Sequence, residues 1–275
     1  MKFIKKESNE KLYHYTSMNV VYNIIKNKEL WLGNVLNTND KSELTYFVNE
    51  IKGKLIENIP NKSDEIGNYF KNICSRIEDE THYAFCFSTL RDDASLWERY
   101  ADNAKGACIV VNTKKYRNII ERVGPLTLNE VFYGVEVEKH DHYKILEKYF
   151  KTEELSGGFQ NIKGQQDNFI ACSSVHKHNS FSQEKEIRSV TLLSAKYFNK
   201  EFSEIGFENK GSCIKEFLKI KYDQVCEKNN VTYLDLFDEI IIGPRSNQSD
   251  KILKDFCAEN GFENIKITKS NCPLI

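Results

Sequence analysis

The 275 residues read as an α+β protein, and three observations say so. Strand-like and helix-like stretches are mixed without the strict alternation that a doubly wound parallel sheet would need. Only four prolines, no low-complexity stretch and no repeat period interrupt the chain, so no linker between domains can be placed. A composition of 40% hydrophobic and 29% charged residues belongs to a globular chain able to bury a core. A single domain over residues 1–275 is therefore expected.

The elements follow in order. "KLYHY" alternates as a short strand, and "SMNVVYNIIKNKE" is helical, with Ser17 where an N-cap hydroxyl belongs. "LWLGN" is another short strand. Helices are expected near 41–57 and 62–78. "HYAFCFST" is an aromatic-rich apolar run of the kind found in strands buried on both faces. "DDASLWERYAD" is helical, "GACIVVN" a buried strand, "LTLNEVFYGVEVE" an alternating strand, and 159–174 helix. "EIRSVTLL" and "EIIIG" are strands, "NQSDKILKDFCAEN" is a helix closed by Gly261, and "IKITKS" is the last strand.

Charge excludes some functions. A formal net charge of -1 and a pI of about 6.6 give no overall basic field to attract nucleic acid or an anionic membrane. The basic stretches "KKYRNIIER" and "GPRSNQSDK" read as solvated helix faces. The apolar run at the start is too short for a signal peptide, and no stretch of about 18 apolar residues occurs. A cytoplasmic location with no membrane partner is expected. The eight cysteines are scattered without a C-x-x-C pair and read as small buried hydrophobes.

The chemistry-bearing residues are few. In "YHYTS", His14 ends a strand among tyrosines. Asp40 and Glu43 in "NTNDKSE" have the spacing of a helix-capping pair, with Asn39 beside them in a loop. "FCFST" ends in two hydroxyls, Ser88 and Thr89, able to cap the next segment or to orient a carboxylate. In "SFSQEKEIRSV", Glu184, Glu186 and Arg188 stand two apart and would share one strand face about 6–7 Å apart at Cα. Paired carboxylates at that distance raise each other's pKa when desolvated, and an arginine opposes the rise. Glu136 and Glu138 repeat the spacing, so spacing alone favours a solvated face. "HDH" (140–142) and "HKH" (176–178) have metal-like spacing but fall where loop or helix end is expected, so no metal is expected. P-loop, dinucleotide and serine-hydrolase signatures are missing.

As an ordered set, "LYHYTS", "NTNDKSE", "FCFST", "LWERYADNAKGACIVVN", "FSQEKEIRSV" and "EIIIGP" resemble a bacterial domain-of-unknown-function family within the ADP-ribosyltransferase-like superfamily. The resemblance runs from about residue 11 to 270. It implies a split two-sheet core with helical insertions that cradles NAD, used as a substrate. By resemblance, His14 bonds the nicotinamide ribose with Tyr15 and Thr16 beside it. Ser88 and Thr89 brace the site, Glu186 is the catalytic carboxylate, and Glu184 is the base that receives the acceptor's proton. From their own positions, Asn39 sits in a loop able to hydrogen-bond the ligand, and Arg188 either pairs with Glu184 or meets a pyrophosphate oxygen. The E-x-E form usually accompanies an arginine in the first motif, where this chain has His14, so the acceptor stays open. The implied activity is an NAD-dependent ADP-ribosyltransferase or NAD glycohydrolase, of the kind found among toxins and phage-defence effectors, acting on a protein or nucleic-acid acceptor. The other reading is a non-catalytic module that binds a nucleotide or nucleic acid in the same cleft.

Overall fold

The computed structural model describes residues 10–35, 43–79, 81–152, 169–191, 198–209, 213–234 and 236–274. Its secondary structure is mixed α+β, with twelve described strands. In chain order these are β1 (Lys11–Thr16), β2 (Glu29–Asn34), β3 (Tyr83–Ser88), β4 (Ala107–Asn112), β5 (Leu126–Glu130), β6 (Phe132–Tyr133), β7 (His176–Lys177), β8 (Glu186–Thr191), β9 (Ser203–Asn209), β10 (Ile214–Lys221), β11 (Phe237–Ile242) and β12 (Lys266–Lys269). The helices are α1 (Met18–Asn27), α2 (Glu43–Asn58), α3 (Ser63–Asp79), α4 (Ala94–Tyr100), α5 (Thr113–Ile120), α6 (Asp141–Thr152), α7 (169–173), α8 (Tyr222–Lys228) and α9 (Asp250–Glu259).

Ten strands form one hydrogen-bonded sheet, β12-β11-β4-β1-β3-β2-β10-β9, with β8 on the other edge of β3 and β5 beyond β8; β6 and β7 make a separate parallel pair. The sheet forks at β3. One edge of β3 pairs with β8 along its length, from Ala84↔Val190 to Ser88↔Glu186. The other edge is shared by two strands that diverge, β1 meeting it at Tyr13↔Ser88 and β2 at Gly33↔Ala84 and Asn34↔Tyr83. The backbone between these contacts has no strand partner on that side. Instead, the His14 ring is bonded through Nδ1 to the Cys86 carbonyl at 2.8 Å. Because a carbonyl only accepts, Nδ1 carries the proton and Nε2 keeps its lone pair.

Alternation sorts the core. Tyr83, Phe85 and Phe87 of β3 join Leu12, Ile109, Ile187 and Leu218 in the largest apolar cluster, with α1, α5, α8 and α9 packed against it. Ala84 and Val190 face the other way, into a cluster built on α2, α3 and α6. A third, small cluster joins Tyr15, Leu96 and Trp97 under α4. Capping agrees with the expectations for Ser17, which accepts from the Val20 N–H at the start of α1, and for Gly261, which follows α9 with φ +87°; Ser249, accepting from the Ile252 N–H, is a further cap at the start of α9.

Several expectations need correction. "LTLNEVFYGVEVE" is two strands that break at Val131, and Glu136 and Glu138 lie on a loop and a 3-10 turn with side chains about three-quarters and two-thirds exposed. "KKYRNIIER" is α5, but it buries Tyr116, Arg117, Ile119 and Ile120 rather than presenting only a solvated face. "HKH" includes the strand β7, and "HDH" opens α6. Cys108, Cys172, Cys226 and Cys257 are buried, Cys74, Cys86 and Cys272 are half-buried, and Cys213 is exposed. The β9–β10 pair and α8 are elements that the sequence reading did not mark. Asn39 and Asp40 lie outside the described residues, as does most of the helix expected at 159–174.

Candidate functional site

At the fork a cavity of about 360 Å³ opens on the face that carries Cys86, Glu186 and Arg188. That volume is within the range of small-ligand pockets. Strands β1, β3 and β8 supply His14, Ser88, Glu186 and Arg188, while α4 brings Tyr100 across the top.

Glu184 does not continue β8. Residues Asn179–Glu184 form a 3-10 helix begun by the His178 side chain, which accepts from the Ser180 N–H, and Lys185 takes a left-handed conformation (φ 45°) before the strand starts. The kink brings Glu184 to the same cavity from another direction. Ser88 ties the corner down, its hydroxyl donating to the Glu184 carbonyl at 2.7 Å and accepting from the Leu90 N–H at 3.0 Å.

The two carboxylates are nearly inaccessible, at 3% for Glu184 and 7% for Glu186. The ammonium of Lys177 lies between them, 2.9 Å from Glu184 Oε2 and 2.8 Å from Glu186 Oε2. Arg188, 2% exposed, grips Glu186 with Nε and Nη2 at 2.8 and 3.1 Å and donates from Nη1 to the Ser174 carbonyl. Tyr100 donates to Glu184 Oε1 at 2.6 Å, and Arg99 stands 3.3 Å from the same oxygen. Buried charges survive only when paired and hydrogen-bonded in this way, and such pairs add little net stability compared with an apolar core. A network of this kind at a cavity wall is where functional groups concentrate.

The electrostatics follow from these contacts. Burial pushes the Glu186 carboxyl up, but Arg188 and Lys177 reverse that and hold its pKa at about 2. The carboxylate is therefore ionised at any ordinary pH. Burial lowers His14 to about 4, only partly opposed by the bond to Cys86, so its imidazole is neutral. Desolvation and the neighbouring Glu186 push the Cys86 thiol well up, so it stays protonated. Burial and the bond to Glu184 raise Tyr100, which keeps its proton to donate.

Of the residues singled out from the sequence, the structure brings His14, Tyr15, Ser88, Glu184, Glu186 and Arg188 to one cavity. Two are not there. Thr89 is exposed, its N–H bonded to the Lys185 carbonyl, because β3 has ended and the chain turns outward. Thr16 is buried and outside the cavity lining, its carbonyl close against Gly106 where β1 meets β4. Tyr15 lines the cavity, yet its hydroxyl is committed to the Leu90 carbonyl and the Asp93 N–H. Arg188 pairs with Glu186. Lys177, Tyr100 and Cys86 were missed as site residues. Lys177 falls in "HKH", where only the histidines had drawn notice, and nothing local says that this lysine is buried.

Fold and site together define an α+β protein with a small-ligand cavity at a forked sheet, walled by two buried carboxylates and their cations. Residues 96–189 match a family described as "Protein of unknown function (DUF2971)". The matched stretch carries Tyr100, Lys177, Glu184, Glu186 and Arg188, whereas His14 and Ser88 lie outside it. No curated protein and no solved structure matches the chain. Among the described residues, no helix is long and apolar enough to cross a membrane, and no group of three or more His, Cys, Asp or Glu is placed to hold a metal ion.

Proposed function

We propose that the cavity binds NAD and that the protein breaks the bond between nicotinamide and ribose, passing ADP-ribose to a macromolecular acceptor or to water. The observation that carries this reading is convergence. A neutral imidazole, a bracing hydroxyl and an ionised carboxylate arrive from three strands at one cavity, with a second carboxylate beside them.

The chemistry gives each group a task. As the C1′–N bond breaks, its electron pair leaves with nicotinamide and the ribose becomes cationic. Glu186, already ionised, favours that charge more than the ground state. Its Oε1 accepts from Arg188 Nε and has a further lone pair for a ribose hydroxyl. His14 Nε2 can accept from a second hydroxyl. The acceptor then bonds to C1′ and its proton passes to Glu184, whose position Tyr100 and Lys177 hold. An activity of this kind suits a bacterial toxin or phage-defence effector working in the cytoplasm on a protein or nucleic acid.

One observation favours the alternative of a binding module without turnover: both carboxylates are already neutralised by cations. Incubation of the purified protein with labelled NAD and cell extract separates the two. Nicotinamide release or label transfer, lost in Tyr100→Phe or Glu184→Gln variants that melt normally, supports the enzyme. NAD binding without either product supports the module, and absence of NAD binding removes the enzyme and leaves the module only with a different nucleotide or a nucleic acid.

A further inference from the structure

The large sheet ends at β9, and that end is poorly suited to water. Ser203–Asn209 runs seven residues beside β10 without a register shift or a proline, and no strand pairs with its other edge among the described residues. Edge strands are usually blunted by shortness, a bulge, a proline or charges, and the carboxylates of β9 cover only one of its faces. The other face stays apolar, with Ile205, Phe207 and Ile214 being 47%, 63% and 72% exposed. All three lie on the same side of the sheet, because Asn209 stands opposite Ile214, Phe207 opposite Glu216 and Ile205 opposite Leu218. We propose that this edge pairs with β9 of a second copy of the chain, antiparallel about a two-fold axis at Phe207. The proposal is independent of what the cavity binds.

The backbone is turned the right way for this. Across β9–β10 the Phe202 carbonyl accepts from the Lys221 N–H. Successive residues of a strand send their N–H and C=O to opposite edges, so those of Glu204, Gly206 and Glu208 face β10 while those of Ile205, Phe207 and Asn209 face outward. A two-fold axis at Phe207 sets that residue against itself and Ile205 against Asn209 of the second copy. Each outward N–H then meets a carbonyl.

Charge selects this register and this partner. With the axis at Gly206, Glu204 would face Glu208 of the second copy; with the axis at Glu208, that carboxylate would face itself. Like charges directly opposite are destabilising. With the axis at Phe207, Glu208 faces Gly206 instead. The Lys219 side chain lies over Gly206, where a Cβ would come 2.5 Å from its Cε and 3.0 Å from its Nζ. That ammonium already stands 3.7 Å from Glu208 of its own chain, so Glu208 of the second copy meets the same cation, and symmetry repeats the contact. A foreign strand supplies that carboxylate only by chance of sequence, whereas every copy of this chain carries it.

Sedimentation velocity over a dilution series, joined to hydrogen exchange of the β9 amides, tests the proposal. Wild type should be a dimer that dissociates on dilution, and the Ile205 and Phe207 amides should exchange more slowly as the dimer forms. Phe207→Glu places two carboxylates together on the axis and should abolish dimerisation. Glu208→Lys and Lys219→Glu should each weaken it about tenfold, since the pair occurs twice and turns from attraction to repulsion, and the double variant should restore it. Circular dichroism shows that each variant folds; if Phe207→Glu does not, the charge exchange still decides. Wild type that stays monomeric at every concentration, a dimer that Phe207→Glu leaves intact, or a dimer whose Ile205 and Phe207 amides exchange as fast as the monomer's overturns the proposal. So does slow exchange that develops only when cell extract is added, because a foreign strand then occupies the edge.

Discussion

At the scale of single residues, the centre of the molecule is a carboxylate that does two jobs. Glu186 compensates two buried cations, Arg188 and Lys177, before it meets any ligand. Glu186→Gln keeps the shape but takes from Arg188 its carboxylate and leaves Lys177 with Glu184, and breaking a buried pair costs about 3–5 kcal/mol. Urea unfolding of this variant should show a loss of that size along with any loss of NAD turnover, so its activity must be read only where it is folded. Lys177→Met is the milder change, because Glu184 keeps Arg99 and Tyr100 and Glu186 keeps Arg188. Removing one of the two cations that hold Glu186 at about 2 should move its pKa upward. Carboxyl NMR titration of the wild type and Lys177→Met checks this, and an unmoved Glu186 would mean that Lys177 contributes nothing to its ionisation.

At the scale of elements, close backbone approach fixes where β1 and β4 lie. A Cβ on Gly106, at the start of β4, would sit 2.1 Å from the Thr16 carbonyl oxygen and 2.9 Å from that of Ala101. Neither backbone atom can swing away, so Gly106→Ala should destabilise by about 1–3 kcal/mol, read as a lower urea midpoint. Most strands and helices were legible from periodicity and caps, as Ser17 and Gly261 show. The failures have physical causes. The stretch 180–185 imitates strand alternation, but a His178 cap and a left-handed Lys185 turn it into a 3-10 helix. β9 and β10 carry Glu204, Glu208, Lys215, Lys219 and Lys221 at intervals, which masks their apolar residues; β9 is an edge strand, where such charges are tolerated. Lys177 comes seven residues before Glu184, and its burial depends on a two-residue strand that no local pattern announces.

At the scale of the whole molecule, stability should fall as the solution is acidified. Burial lowers His14, His142 and His176 to about 4; the bond to the Cys172 carbonyl only partly opposes this for His176, and neighbouring His140 depresses His142 and His176 further. Both ring nitrogens of His142 are buried without a hydrogen-bond partner among the described residues. The unfolded chain takes up these protons near pH 6.5 and the folded chain only near 4, so stability present above 6.5 is lost as pH falls through that window. Glu186 and Glu239 then act in the same sense at lower pH. Arg91 and Thr268 hold Glu239 at about 2, as Arg188 and Lys177 hold Glu186, and their contribution is lost as pH falls from about 4.5 toward 2. The urea midpoint should therefore be level near pH 7 and fall steadily below 6.5. Proton uptake on unfolding should approach three between pH 5 and 6, and His142→Phe should reduce it by one, because phenylalanine fills the ring's place without a proton to bind. A midpoint that holds level from pH 7 down to 5, or a His142→Phe curve parallel to wild type, would show that these imidazoles are not buried in neutral form. It would also remove the basis for a neutral His14 at the cavity.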